Sequence, residues 1–416
     1  MGLIKRLKNS NKPLFGQILD LIPSHLISEA VQEHQTDRYI KSYTTKVQLT
    51  AMLFGQLNNC QTLRDIVAGF NVSADFLQDI GLEKSPARST MSDAHSKRDW
   101  RVYESIFNKV LCHYKRLFSR TASDNGISEL AGKAVKIVDS STVSLCLNLF
   151  PWAKFRQKKG AIKIHMKLDY HDDLPELVHL SDGKMHDKKA IPHLQIKDNS
   201  VLIDDRAYYD FSAFVDFIDR SVTFVTRIKG NADYKVIKEI ELSPEDEAVG
   251  IKWSKIIQMR SNKAFDTKLC DHNLRIVGSW NETEGKVVEI LTNNMDWPAH
   301  VVGQVYRKRW KIETFFKGLK QNLQVKTFIG TSENAVKSQI YIALLAYVLI
   351  EFIRKYMSQV SHAQKQFFNL IRICLNHYQG LKYIISGIPL ISLSIEKCLP
   401  QPRGQLSLFS TIEINP

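Results

Sequence analysis

Twice beyond residue 130 a short apolar run closes on a carboxylate. Ala134–Asp139 reads AVKIVD and Val201–Asp205 reads VLIDD. Runs this short are the length of strands. Around them, Lys163–Tyr170 alternates apolar with polar residues and Glu176–Leu180 is a further short run. A helical stretch at Tyr209–Arg220 and a strand at Val222–Arg227 follow. Strands interleaved with helices predict an α/β layer. Acids at strand ends sit where open α/β sheets place their ligands.

Residues 1–125 read as helical, with apolar residues at three- and four-residue spacing in Lys46–Leu57 and Val102–Phe118. Three short pieces, Gln61–Phe70, Ser73–Ile80 and Ala87–Arg98, lie between them. They fit either a helix-turn-helix-like reader, offering Arg88, Ser89, Thr90, Lys97 and Arg98, or a plain helical bundle with a solvated polar face. Residues 231–300 break the α/β alternation with candidate strands at Val249–Trp253, Leu274–Ser279 and Lys286–Thr292, as a β-rich insertion would. From Val302 the pattern is helical again, and Pro389, Pro400 and Pro402 mark a tail. The expected division is 1–125, 126–230, 231–300, 301–388 and 389–416.

Hydrophobic residues make up 44% and charged residues 24% of the 416, which excludes disordered, collagenous and disulfide-scaffold chains. The formal net charge is +14, which favours nucleic acid first and an anionic membrane surface second. Residues 301–416 alone carry a net +10, while 231–300 carry −3. The six cysteines include no CxxC pair, which argues against a zinc ribbon and suits a reducing cytoplasm. No signal peptide is read in Met1–Lys8. The apolar run around Ile340–Ile350 is shorter than the ~20 residues a bilayer needs and predicts a buried helix.

A third acid stands in a basic-aromatic segment, Tyr306–Lys320, reading YRKRWKIETFFKGLK. Wound as one α-helix, it brings Tyr306, Arg309, Glu313, Lys317 and Lys320 into an arc of about 80°. Ile312, Phe315, Phe316, Leu319 and Leu323 occupy the adjacent face. Taken singly, Glu313 needs only an i,i+4 ion pair with Arg309 or Lys317, and Asp139 and Asp205 need only loop capping. Asp204 competes with Asp205. Taken together, three carboxylates could hold hard divalent cations. Two such ions ~3.5–4 Å apart serve in-line phosphodiester displacement, and the surrounding cations would hold phosphates.

The spacing Tyr306-x2-Arg309-x3-Glu313-x6-Lys320 resembles the YREK signature of DDE transposases of the insertion sequence 4 family. The Asp139-Ser-Ser-Thr and Asp205-Arg-Ala-Tyr-Tyr-Asp210 contexts resemble that family's first and second aspartate motifs. The resemblance covers about residues 130–350, and the helical N-terminal region is similar to the family's leader domain. It implies a ribonuclease H-like core interrupted by the β-rich insertion. It implies Asp139, Asp205 and Glu313 as catalytic residues and ligands of Mg²⁺, with Mn²⁺ able to substitute. Tyr306, Arg309 and Lys320 would contact phosphates; Lys317 joins them on helix geometry alone. The implied partners are double-stranded DNA, as terminal inverted repeats and target, and a second copy of the chain in a synaptic complex, with no membrane. The implied setting is the bacterial cytoplasm and nucleoid. Two positions depart from the pattern. Ala207 stands where the family often has Gly. Val288 stands where some relatives carry a Trp serving a hairpin intermediate, with Trp280 and Trp297 as candidate substitutes.

Lys154, Arg156, Lys158, Lys159 and Lys163 form either a solvated loop or a track for a DNA backbone. His186-Asp187 is either a metal pair or a turn entering a helix, with Asp187 near the N-cap. Cys270-Asp271-His272 lacks a second pair and is not expected to hold zinc. Two other readings stay open at this level: a catalytically inactive DNA-binding relative, and a structure-specific nuclease on the same fold.

Overall fold

In the computed structural model, residues 12–72, 74–118, 126–146, 149–156, 159–325, 327–357, 363–378 and 384 are described. The segments Met1–Lys8 and 389–416, together with Lys158 and the side chains of Lys154, Arg156 and Lys159, lie outside them. The chain divides into two compact units, Leu111–Lys317 and Met1–Val110 with Gly318–Pro416.

The unit containing both chain ends is helical. Its first part holds α1 (Leu14–Leu19), α2 (Ser24–His34), α3 (Thr45–Leu57), α4 (Leu63–Phe70), α5 (Ala74–Asp79), α6 (Arg88–Lys97) and the start of α7 (Arg101–Phe118). Thr62 and Asp65 close a capping box at the start of α4, each side chain bonding the other's backbone N–H. Arg98, expected among the DNA-facing cations, is only 7% exposed. It donates to the Tyr43 carbonyl at 2.7 Å and to Gln48, and lies 3.6 Å from Asp37. It therefore ties the helices together. Arg88, Ser89, Thr90 and Lys97 stay exposed on α6.

The other unit is built on one ten-stranded sheet. Its strands are β1 (Val135–Leu145), β2 (Lys154–Arg156), β3 (Lys159–Asp169), β4 (Pro175–Asp182), β5 (Val201–Ile203), β6 (Thr223–Arg227), β7 (Tyr234–Ile240), β8 (Ile251–Met259), β9 (Leu274–Asn281) and β10 (Lys286–Thr292). The order is β2-β3-β1-β5-β6-β10-β9-β8-β7, with β4 also paired to β3. β5 runs parallel to β1 and β6 parallel to β5; the remaining pairs are antiparallel. The segment 231–300 thus extends the same sheet, because β10 pairs with β6, Ile290 opposite Arg227.

Asp139 does not end its strand. β1 continues to Leu145, since Ser140–Leu145 keeps pairing with β3 after β5 has stopped at Ile203. The run to Val138 is buried; Asp139–Ser141 are partly exposed, and beyond them exposed Thr142 and Ser144 alternate with buried Val143 and Leu145. β7 went unanticipated because its side chains are almost all exposed, so it carries no buried apolar alternation. Helix α8 (Phe211–Asp219) crosses between β5 and β6 and covers one face of the sheet. Asp210 caps it by accepting from Ser212 N at 3.1 Å. Phe214 stacks on Phe224 of β6 at 4.4 Å, and Phe211 and Phe217 flank it in the same core. Short helices α9 (Pro244–Ala248) and α10 (Asn262–Asp266) flank β8; α11 (Ala299–Arg307) and α12 (Trp310–Asn322) then close the segment.

Back in the helical unit, α13 (Glu333–Phe352) and α14 (Gln364–Cys374) complete the bundle. Among the described residues, Glu333–Lys355 is the one helical stretch long and apolar enough to cross a membrane, but 94% of its most apolar window is buried in the protein. Tyr341 on α13 donates to Glu104 at 2.6 Å and stacks on Trp100. This is the buried helix predicted around Ile340–Ile350.

Candidate active site

The parallel pairing of β1 with β5 sets Ile137 beside Ile203. Carried two residues further, the same register makes Asp139 level with Asp205, on chains ~4.8 Å apart. Asp205 has left the strand but keeps an extended backbone, φ −97° and ψ 159°, and its carboxylate accepts from Ala207 N at 2.8 Å. A small residue at 207 is compatible with this tight cap. Asp204, one residue earlier, faces the opposite way and is 1% exposed.

The expected single helix from Tyr306 to Leu323 is interrupted. α11 ends at Arg307 and α12 begins at Trp310, with Lys308 and Arg309 in a turn. The N–H groups of Lys308, Arg309, Lys311 and Ile312 bond three residues back, so the chain winds tighter here than an α-helix. At three residues per turn, side chains i and i+3 eclipse, which brings Arg309 against Tyr306. The guanidinium carbon lies 5.7 Å from the ring centre. Arg309 then turns to the acids. Its Nη2 is 2.6 Å from Glu313 Oε1 and its Nη1 is 3.6 Å from Asp139 Oδ2. One cation, with its side chain 13% exposed, thus bridges an acid of β1 and an acid of α12.

The acids are electrostatically coupled. Burial pushes the Asp139 carboxyl up to about 6; the Ser140 N–H and Arg309 pull it down, and Asp205 and Glu313 push it further up. Ser140 N donates to Asp139 Oδ1 at 2.7 Å. Complete burial holds Asp204 at about 8, with Asp205 and Asp139 adding to the effect. Burial also raises the Tyr306 phenol, which Arg309 opposes and Asp205 reinforces. Asp205 and Glu313 thus both lie close enough to act on Asp139. Their hard oxygen donors suit Mg²⁺ or Mn²⁺ in chemistry. No three His, Cys, Asp or Glu side chains among the described residues are already gathered into a metal group, so the three acids would have to draw together to hold an ion. Arg309 occupies the gap between two of them.

Lys317 is exposed on α12, one turn beyond Glu313. Lys320 lies on the same side of that helix, past the boundary between the compact units. Lys163 is no DNA-track cation: it is turned inward, 13% exposed, bonding the Met185 carbonyl at 2.8 Å and Asp187 at 3.2 Å. His186 caps a 3-10 helix, Asp187–Leu194, as the turn reading expected, rather than forming a metal pair.

Trp297 is 5% exposed, packed under Lys133, with its carbonyl bonded by Arg275. It cannot present its ring to a ligand. Trp280 and Trp310 are 42% and 56% exposed. With Val288, Tyr306, Arg307 and Arg309 they line a cavity of about 570 Å³, whose Arg309 also contacts Asp139 and Glu313. Trp310 carries no sequence signal of its own, since it lies within a segment whose charged residues dominate its pattern.

The family model for the transposase DDE domain matches residues 130–349, and the model for a domain of unknown function, DUF4372, matches residues 10–83. A Geobacillus stearothermophilus protein named for the transposase of insertion sequence element IS5377 is 29% identical over 241 residues. That match spans 58% of this chain and 62% of the relative's length. The Sinorhizobium fredii sequence y4zB, also named for a transposase, is 25% identical over 70% of this chain and 78% of its own. A cryo-EM structure of a piggyBac transposase synaptic complex with hairpin DNA reaches a TM-score of 0.42 at 13% identity, covering 98% of this chain and 89% of that one.

Proposed function

The chain belongs to the transposase DDE family, and on that premise we propose that it is the transposase of a bacterial insertion sequence, cutting the element's ends and joining them to target DNA. The observation that supports this reading is the electrostatic action of Asp205 and Glu313 on Asp139, with Arg309 between Asp139 and Glu313. The order β4-β3-β1-β5-β6, an antiparallel meander followed by two parallel strands, supports a ribonuclease H-like core. In this reading 126–230 and 301–388 form that core, 231–300 is its insertion, and 1–125 reads DNA through Arg88, Ser89, Thr90 and Lys97. The tail 389–416 lies outside the described residues.

Asp139, Asp205 and Glu313 would hold Mg²⁺, with Mn²⁺ substituting. Bound as a pair, such ions supply Lewis-acid stabilisation to both oxygens of an in-line phosphodiester displacement. The chain's own groups do the rest. Arg309 turns from the acids to a phosphate near the cut, and Tyr306, Lys317 and Lys320 add contacts to the backbone. The exposed rings of Trp280 and Trp310 offer a stacking surface for a base displaced from the duplex. Water opens the bond at the element end, and the released 3′-hydroxyl attacks the target, with no covalent enzyme intermediate. Pairing two ends calls for two copies of the chain on DNA.

The test is incubation of the full-length protein with DNA carrying the element's terminal repeats and Mg²⁺. Cleavage at the repeat boundary followed by joining to a second DNA supports the reading. Binding without nicking favours an inactive DNA-binding relative, and cutting of branched DNA without joining favours a structure-specific nuclease.

A further inference from the structure

We propose that Asp187 is a positioning residue for Asp139, acting through Ser140 from the reverse face of the sheet. The inference rests on the DNA-cutting reading only in treating Asp139 as a metal ligand. Asp187 opens the 3-10 turn Asp187–Leu194, and its carboxylate, 17% exposed, is a hub. Its Oδ1 accepts from Ser140 Oγ at 2.5 Å, Lys163 Nζ lies 3.2 Å away, and His165 Nδ1 3.6 Å. Ser140 pairs directly opposite His165, and Thr142 opposite Lys163. These side chains therefore share the face that Asp139, one residue from Ser140, does not. His165 is anchored in turn by Ser181 of β4 at 2.9 Å.

Ser140 is thus held at both ends. Its hydroxyl is fixed by Asp187 in a charge-assisted hydrogen bond, and its N–H holds Asp139 Oδ1 at 2.7 Å. The second bond occupies one oxygen of Asp139 and leaves Oδ2 on the Arg309 side. Without Asp187 the Ser140 hydroxyl loses its acceptor and the peptide between residues 139 and 140 loses its anchor. Asp139 would then have to be ordered by the cation it binds. Groups that orient a ligand in this way typically change metal affinity 10- to 100-fold.

The test is Mn²⁺ binding by the full-length protein without DNA, followed by the electron paramagnetic resonance signal of free Mn²⁺. Asp187→Ala is expected to weaken the midpoint about tenfold. Ser140→Ala, which removes the same bond with no change of charge, should match it, and the double variant should be no weaker than either single one. Asp187→Asn keeps an oxygen for the hydroxyl and should fall closer to wild type. A Ser140→Ala midpoint within about twofold of wild type, well short of the expected tenfold, overturns the proposal, as do effects that multiply in the double variant. Equal losses in Asp187→Asn and Asp187→Ala overturn it too, since charge acting through space would then suffice. If Asp187→Ala does not fold by circular dichroism, Ser140→Ala decides alone. Asp139→Asn separates the two levels. If it binds Mn²⁺ like wild type, the active-site reading fails; if it binds weakly while Ser140→Ala binds normally, only the Asp187 proposal fails.

Discussion

Arg309 Nη2 stands 2.6 Å from Glu313 Oε1. The same guanidinium reaches within 3.6 Å of Asp139, so Arg309 provides the positive charge between two of the acids. Its Nε is buried without a hydrogen-bond partner in the structure. On the proposed function Arg309 has two competing uses: neutralising the acids, and meeting a phosphate.

Arg309→Ala should separate those uses. At pH 8, where Asp139 is ionised, the DNA-free variant should bind Mn²⁺ more tightly than wild type, because a competing cation has gone. Its affinity for end DNA should fall, and the slope of log K against log salt should shrink by about one. Calorimetric Mn²⁺ titration and binding curves at several salt concentrations measure both. An unchanged slope would show that Arg309 makes no phosphate contact.

Metal binding should follow the Asp139 carboxyl, which burial holds at about 6. A cation needs the ionised form. The Mg²⁺ midpoint should therefore tighten as pH rises through about 6 and level off above about pH 7, one pH unit leaving ~90% ionised. A midpoint that is flat between pH 5 and 7 would contradict this role for Asp139.

Stability carries a separate signature from Asp204, held at about 8 by complete burial. Its folded value lies above the ordinary one of about 3.9, so folding favours the protonated form. That stabilisation is complete below about pH 4 and is lost as pH rises toward 8. Buried His95 and His165, pushed down to about 4, act with the opposite sign, losing stability as pH falls below about 6.5. Between pH 6.5 and 8 the Asp204 effect stands apart, at about 2 kcal/mol. Urea denaturation of the metal-free protein should show that loss, and Asp204→Asn should remove it.

The insertion strands pack tightly enough to test by one methyl group. Gly278 of β9 faces Trp253 of β8, and a Cβ there would fall 2.4 Å from the indole. Gly278→Ala should cost about 1–3 kcal/mol by overpacking. Pairing it with Trp253→Leu should recover part of the loss, measured by thermal unfolding. No change in the single variant would mean that the β8–β9 contact is loose.

The sequence made the α/β layer visible because AVKIVD and VLIDD carry their burial in consecutive residues, and those runs became β1 and β5. The buried helix α13 was legible for the same reason. The end of β1 was not, because pairing with β3 extends it after its own apolar run has stopped. Nor was the break at Lys308–Arg309, which has neither Gly nor Pro to mark it; only the tighter hydrogen bonding reveals it. Arg98 shows the limit of reading charge as surface, since Gln48 and the Tyr43 carbonyl bring it inside. At the site, spacing proposed which residues to compare. The bridging position of Arg309 and the Asp187–Ser140 bond depend on contacts between distant segments and could not be read from spacing.

The most direct measurement is cleavage of DNA carrying the terminal repeats by Glu313→Gln, with binding measured on the same DNA. The substitution removes one ionised oxygen donor and almost none of the positive surface. It should reduce cleavage at least about a thousandfold, roughly 4 kcal/mol of transition-state stabilisation, while binding stays within about threefold, or 0.7 kcal/mol. Cleavage within about tenfold of wild type would contradict the assignment of Glu313, and with it the active site placed between β1, β5 and α12.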